Sequence, residues 1–109
     1  MSLDESTFTR IADETLEKFM DAVEGVLGDQ ADVDLEGGIL SIELDAGGQY
    51  VINKHAPNRQ IWMSSPKSGA THFDYDADSK EWHCTRSGGR LDEILVDELK
   101  SLTGVTVSL

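Results

Sequence analysis

Carboxylates crowd the first third of this chain. Taken as a helix at about 100° per residue, Asp13, Glu14, Glu17, Asp21 and Glu24 fall within an arc of about 100°, opposite a run of apolar residues. Asp29, Asp32 and Asp34 follow, so residues 1 to 34 hold ten carboxylates against Arg10 and Lys18 alone. An acidic helix face is ordinarily a solvated one. Here, however, like charges three and four residues apart repel by tenths of a kcal/mol per pair, and Asp21 and Glu24 fall near the helix C-terminus, where the macrodipole disfavours anions. A hard cation relieves that repulsion, because carboxylate oxygens suit Mg²⁺, Ca²⁺, Mn²⁺ and the iron ions. Carboxylates on separate flexible stems, with no histidine among them, do not close a coordination shell. The chemistry expected is weak, multi-ion, poorly selective cation binding.

A second group of residues suits contact with a protein. Alternation along Gln60-Ile61-Trp62-Met63-Ser64 puts Ile61 and Met63 on one strand face and Gln60, Trp62 and Ser64 on the other. A strand tryptophan is more often core, but polar neighbours on its own face predict that Trp62 is exposed, as a rigid aromatic anchor. Residues 46 to 73 contain no acidic side chain while including Lys54, Arg59 and Lys67, so the domain carries two unlike surfaces.

Other candidates are weaker. His83 and Cys84 are neighbours that point to opposite faces of a strand, which rules out a thiol nucleophile with its base. Cys84 reads as a small core residue beside Trp82. His55 and His72 read as exposed imidazoles, each able to add a ligand to a metal but more often simply solvated. No Ser-His-Asp arrangement, phosphate-binding loop or dinucleotide fingerprint is present, and the paired glycines 37–38, 47–48 and 88–89 read as turns.

The elements that must position these groups follow from periodicity. Phe8, Ile11, Ala12, Leu16, Phe19, Val23, Val26 and Leu27 recur at spacings of three and four, which predicts an amphipathic helix over 3–27. Ser2 with Glu5 has the spacing of a capping box, and Gly28 is expected to end the helix in the left-handed conformation. From 31 to 86 the period becomes two, in six short runs separated by Gly, Pro, Asn and Asp clusters, which predicts an antiparallel sheet. Leu91, Ile94, Leu95, Leu99 and Leu102 form a second helical stripe over 91–103, stopped by Gly104. Helix, strands, helix, with both stripes needing cover, implies a two-layer α+β sandwich with two helices on one sheet face and water on the other.

With 109 residues and 39% hydrophobic content, one domain spanning 1–109 is expected. A single cysteine excludes an internal disulfide framework and a multi-thiolate zinc site. A formal charge of −12 argues against nucleic acid and anionic membrane as partners and points to cations or basic protein surfaces. The absence of an apolar span and of a basic-then-apolar opening gives the expectation of a bacterial cytoplasmic protein, or a mitochondrial matrix one after loss of its transit peptide.

The stretch from Tyr50 to Gly69, YVINKHAPNRQIWMSSPKSG, strongly resembles the signature of the frataxin family, an NKQ-x-P-N-x-Q-I-W segment followed by S-S-P-x-S-G. The likeness covers nearly the whole chain, from Ser2-Leu3-Asp4-Glu5 and the ADETL of residues 12–16 to Thr85-Arg86-Ser87-Gly88 and the closing Thr106-Val107-Ser108-Leu109. It implies a frataxin-like sandwich and weak, exchangeable iron binding (Fe²⁺ or Fe³⁺) on Asp13, Glu14, Glu17, Asp21, Glu24 and Asp32. It also implies docking of Asn53, Gln60 and Trp62 to the cysteine desulfurase and scaffold protein of iron–sulfur cluster assembly. Thr9, Gly25 and Gly28 stand where the family often has acids, so the ridge is thinner at the helix end. His55 replaces a usual glutamine, and His72 stands where mitochondrial members often have arginine. The resemblance makes this an iron donor or sensor, monomeric without iron, and no conventional enzyme. The alternative it offers is a weak ferroxidase that oxidises Fe²⁺ on the ridge.

Overall fold

The computed structural model describes residues 4 to 109. Helix α1 (Glu5–Leu27) leads into six strands, β1 (Ala31–Glu36), β2 (Ile39–Leu44), β3 (Gln49–His55), β4 (Gln60–Ser65), β5 (Gly69–Asp76) and β6 (Glu81–Cys84), and helix α2 (Leu91–Thr103) closes the fold. A single 3-10 turn, Ala56–Asn58, joins β3 to β4. The strands pair antiparallel in sequence order, which makes a six-stranded meander.

Both helices form because each has one stripe to bury. On α1 the buried residues are Phe8, Ala12, Leu16, Phe19, Val23 and Leu27; on α2 they include Leu91, Leu95 and Leu99. They pack against the inward alternate residues of the strands, among them Leu40, Ile42, Tyr50, Ile52, Ile61, Met63, Phe73 and Trp82. Each such side chain removed from water contributes on the order of 1.5–3 kcal/mol before entropy is counted. Beyond Gly104, Val107 is also buried and Val105 and Leu109 pack on the same core.

The ends of the helices depart from expectation. Ser2 lies outside the described residues; α1 starts at Glu5, and its cap is Asp4, whose carboxylate accepts the Thr7 N–H at 2.7 Å. Gly28 is right-handed (φ −55°), so positive φ is not why glycine stands there. A Cβ at Gly28 would lie 2.7 Å from the Glu24 carbonyl oxygen, and that close approach is the constraint. Gly104, by contrast, ends α2 at φ 76° and donates its N–H to the Lys100 carbonyl. Val26 and Leu102, placed on the apolar stripes by spacing, are exposed, although Leu27 beside Val26 is fully buried.

One carboxylate joins the apolar stripe of α2. Glu98 is 8% exposed, and its Oε1 accepts from the Tyr50 hydroxyl at 2.8 Å and from Ser65 Oγ at 2.5 Å. Ser65 Oγ in turn accepts the N–H groups of Lys67 and Ser68. Burial, reinforced by the Glu98 carboxylate, pushes the Tyr50 hydroxyl well above its ordinary pKa. This network ties α2 to β3, β4 and the turn after β4.

Candidate functional site

The acidic ridge is a row of separate charges. Glu14, Glu17, Asp21 and Glu24 are exposed on the solvent side of α1, and Asp13 is half-buried at its border. Asp13 Oδ1 takes a 2.8 Å ion pair from Lys54 Nζ, whose stem reaches in from β3 across Gly38. Arg10 pairs with Glu14 at 3.5 Å, both ends well exposed, a contact of little energetic weight. Asp13, Glu17, Leu35, Gly37, Gly38 and Lys54 line one shallow groove beside the helix. No cationic side chain occupies the last turn of α1, so Asp21 and Glu24 face the negative end of the helix dipole without local compensation.

Asp32 stands apart from these. It alternates with the inward Ala31 and Val33, projects from the sheet face that the helices do not cover, and sits opposite Glu43 of β2. Among the described residues, no three His, Cys, Asp or Glu side chains lie within reach of a single metal ion. The donor set fits labile binding of hard cations by one or two carboxylates with water completing the shell.

The open sheet face is organised differently. β3 and β4 pair so that Asn53 opposes Trp62 and His55 opposes Gln60, while β4 and β5 place Trp62 opposite His72 and Gln60 opposite Asp74. These side chains therefore share the outer face, with Ile61, Met63 and Phe73 buried beneath them. Trp62 is half-buried, although its face was expected to leave it in water. Its indole is stacked between two imidazoles: His55 at a centroid distance of 3.6 Å and 8° from parallel, His72 at 4.2 Å and 15°. Its Nε1–H donates to Gln60 Oε1 at 2.8 Å, and Gln60 Nε2 donates to Asp74 Oδ1 at 2.9 Å. His72 is exposed as expected, but His55 is not free in solvent; it is half-buried, with Nδ1 enclosed and unpartnered. Asn53 is held by its own 3.3 Å bond to the Lys54 carbonyl.

His83 and Cys84 lie on opposite faces. His83 uses Nδ1 on the Gly88 carbonyl, while Cys84 is buried under the helices. Burial raises the Cys84 thiol, but hydrogen bonds from Ser87 and Arg86 outweigh it and hold the pKa below its ordinary value. No imidazole acts on this sulfur.

A model described as a frataxin-like domain matches residues 1–105. The chain belongs to the frataxin family. Mitochondrial frataxin of Arabidopsis thaliana is 40% identical over 98% of the chain, and the iron–sulfur cluster assembly protein CyaY of Pseudomonas fluorescens is 36% identical over 95%. The chain spans 59% of the length of the Arabidopsis frataxin and 93% of that of CyaY. The same sandwich recurs in the solved frataxin of Psychromonas ingrahamii (TM-score 0.86, 25% identity, 97% of each chain). It recurs also in a trimeric Saccharomyces cerevisiae frataxin complexed with ferrous iron (TM-score 0.77, 35% identity, 96% of this chain and 90% of that one). Frataxin-family relatives thus include both bacterial and mitochondrial proteins, and no helix among the described residues is long and apolar enough to cross a membrane.

The imidazole partners of Trp62 were not legible beforehand, because stacking depends on the register of three strands. Glu98 does carry a signal in the sequence: it falls three residues after Leu95, within the apolar stripe of α2.

Proposed function

We propose that this protein binds iron weakly on the ridge of Asp13, Glu14, Glu17, Asp21 and Glu24, with Asp32 as a separate carboxylate. It assists iron–sulfur cluster assembly by docking its open sheet face, through Asn53, Gln60 and Trp62, onto a cysteine desulfurase–scaffold complex. The observation that carries the reading is the division of labour between two surfaces. A frataxin-family chain presents a ridge of carboxylates on one side and an immobilised tryptophan, with amide side chains around it, on the other. Iron is cargo in this scheme, held long enough to be sensed or passed on. The relatives' names as cluster assembly proteins and the ferrous complex of yeast frataxin support the same direction. The protein works as a monomer without iron, in a bacterial cytoplasm or a mitochondrial matrix.

An oxidising centre would require donors of mixed type at fixed distances around one ion. The ridge offers carboxylates one at a time, which disfavours the ferroxidase alternative. The test is an anaerobic Fe²⁺ titration, followed by desulfurase and cluster-assembly rates with and without the protein. Weak, multi-site iron binding and a changed assembly rate are expected; an unchanged rate at saturating protein overturns the reading.

A further inference from the structure

Both flat faces of the Trp62 indole are already used inside the molecule. His55 comes from β3 and His72 from β5, on either side of β4, so the two imidazoles cover opposite faces of the ring at 3.6 Å and 4.2 Å. The one polar edge is used as well, by the 2.8 Å bond to Gln60, and Gln60 is itself held by Asp74. What is left to a partner is the carbon edge of the ring. An aromatic edge carries the positive side of the quadrupole, whereas the face that attracts cations is negative.

From this geometry, and resting on the docking reading above, we infer that His55 and His72 are positioning residues that clamp Trp62 edge-on, closing it to cation–π contact and selecting a partner slot that receives a ring edge. The complementary slot is narrow and apolar, floored by backbone carbonyl oxygens or by the face of another aromatic ring. On the clamp's own sheet face, Glu36 of β1 lies in the row of Ile39, Asn53, Trp62 and His72, and Asp74 of β5 sits opposite Gln60. The rim of the slot is therefore basic, while its centre is not. Stacking also removes the rotamer freedom that Trp62 would otherwise lose on binding.

The experiment compares His55→Ala/His72→Ala, His55→Phe/His72→Phe and Trp62→Ala with the parent, using purified cysteine desulfurase with its scaffold protein as the probe. Samples carry 5-fluorotryptophan, which reports Trp62 and Trp82 as separate ¹⁹F signals, and melting temperatures confirm folding. The alanine pair is expected to shift and sharpen the Trp62 signal alone and to weaken association by about threefold to tenfold, the range for immobilising one freed side chain. The phenylalanine pair restores planar stacking without an imidazole nitrogen and is expected to bind within about twofold of the parent. If the alanine pair binds like the parent while Trp62→Ala does not, the clamp is overturned and the docking face stands. Equal weakness of the phenylalanine and alanine pairs overturns it too, since imidazole polarity and not stacking would then matter. If Trp62→Ala itself binds like the parent, the docking reading has failed first.

Discussion

The ridge and the open sheet face are built on opposite principles. On α1, carboxylates stand on independent stems around a helix, mostly exposed, joined to the rest of the protein by few contacts, of which Asp13 with Lys54 is the shortest. On the sheet, β3, β4 and β5 bring His55, Trp62, His72, Gln60 and Asp74 into one stacked and hydrogen-bonded unit. A field from separated charges acts over roughly a Debye length and tolerates imprecise positions, whereas a desolvated contact acts at atomic distance and needs fixed ones. Sequence order reflects the difference. The ridge comes from one local segment, while the aromatic unit needs three strands in register.

The largest expected effect is on the fixed surface. Trp62→Ala should cost about 2 kcal/mol or more of binding to the desulfurase–scaffold complex, almost all of it as a faster off-rate that salt leaves unchanged. Stability should fall by no more than about 1–1.5 kcal/mol, because the ring lies over the sheet and not in the core, although its two stacking contacts are lost. Surface binding kinetics at two ionic strengths and a urea melt measure both quantities. A stability loss of several kcal/mol with unaltered binding would make Trp62 a structural residue and collapse the contrast.

Reversal of Glu17, Asp21 and Glu24 to Lys should act the other way about. The on-rate for the same complex should fall by about tenfold at low salt and approach the parent value at high salt, with the off-rate little changed. Because reversal at Glu17 turns its repulsion from Asp13 and Glu14 into attraction, and reversal at Glu24 places a cation in the last helical turn, the variant should be at least as stable as the parent. An off-rate effect that persists at high salt would mean that the ridge makes close contacts of its own.

How much of this was legible depended on the range of the interactions. The six strands and the inward side of each were readable from alternation, as in Ile61 and Met63 against Trp62, since a period of two is local. The helices were equally readable through their stripes, but their ends were not. Gly28 suggested a left-handed stop where the real constraint is the nearby Glu24 carbonyl, and Val26 and Leu102 fit their stripes by spacing while being exposed. The ridge positions could be numbered from helix geometry, yet the partner that takes Asp13 sits on β3, and spacing along α1 carries no trace of it. The imidazole sandwich, the half-burial of His55 and the Glu98 network all depend on cross-strand or interlayer neighbours. Alternation placed Trp62 on the correct face, while its polar neighbours there predicted its exposure only in part.

Metal addition should have a smaller effect than either mutation. A cation that binds the folded ridge and not the unfolded chain stabilises by about 0.4 kcal/mol when its concentration equals Kd, which for a domain of this size raises Tm by about 2–3 °C. Millimolar Mn²⁺ at constant ionic strength should produce a rise of that order, and the triple reversal of Glu17, Asp21 and Glu24 should abolish it. No shift in the parent protein would remove the ridge as a cation site and leave the sheet face as the sole functional surface.

The smallest effect tests whether the ridge carries its own competitor. Lys54 places an ammonium 2.8 Å from Asp13 in the groove that Glu17 also lines, so a metal ion approaching these two carboxylates meets a cation already there. Lys54→Met keeps most of the stem that packs over Gly38 while removing the charge. The pair is partly exposed, with side-chain exposures of 24% and 46%, so its loss should destabilise the protein by less than about 1 kcal/mol. Freed of its partner, Asp13 adds a full charge to the groove, and the Mn²⁺-induced rise in Tm should grow by about 1–2 °C over the parent's at the same metal concentration. Lys54→Arg, which retains the cation, should leave the rise unchanged. Equal rises in the Met and Arg variants would show that cations reach the ridge only through Glu14, Asp21 and Glu24, on the open side of α1, and that Asp13 belongs to the scaffold.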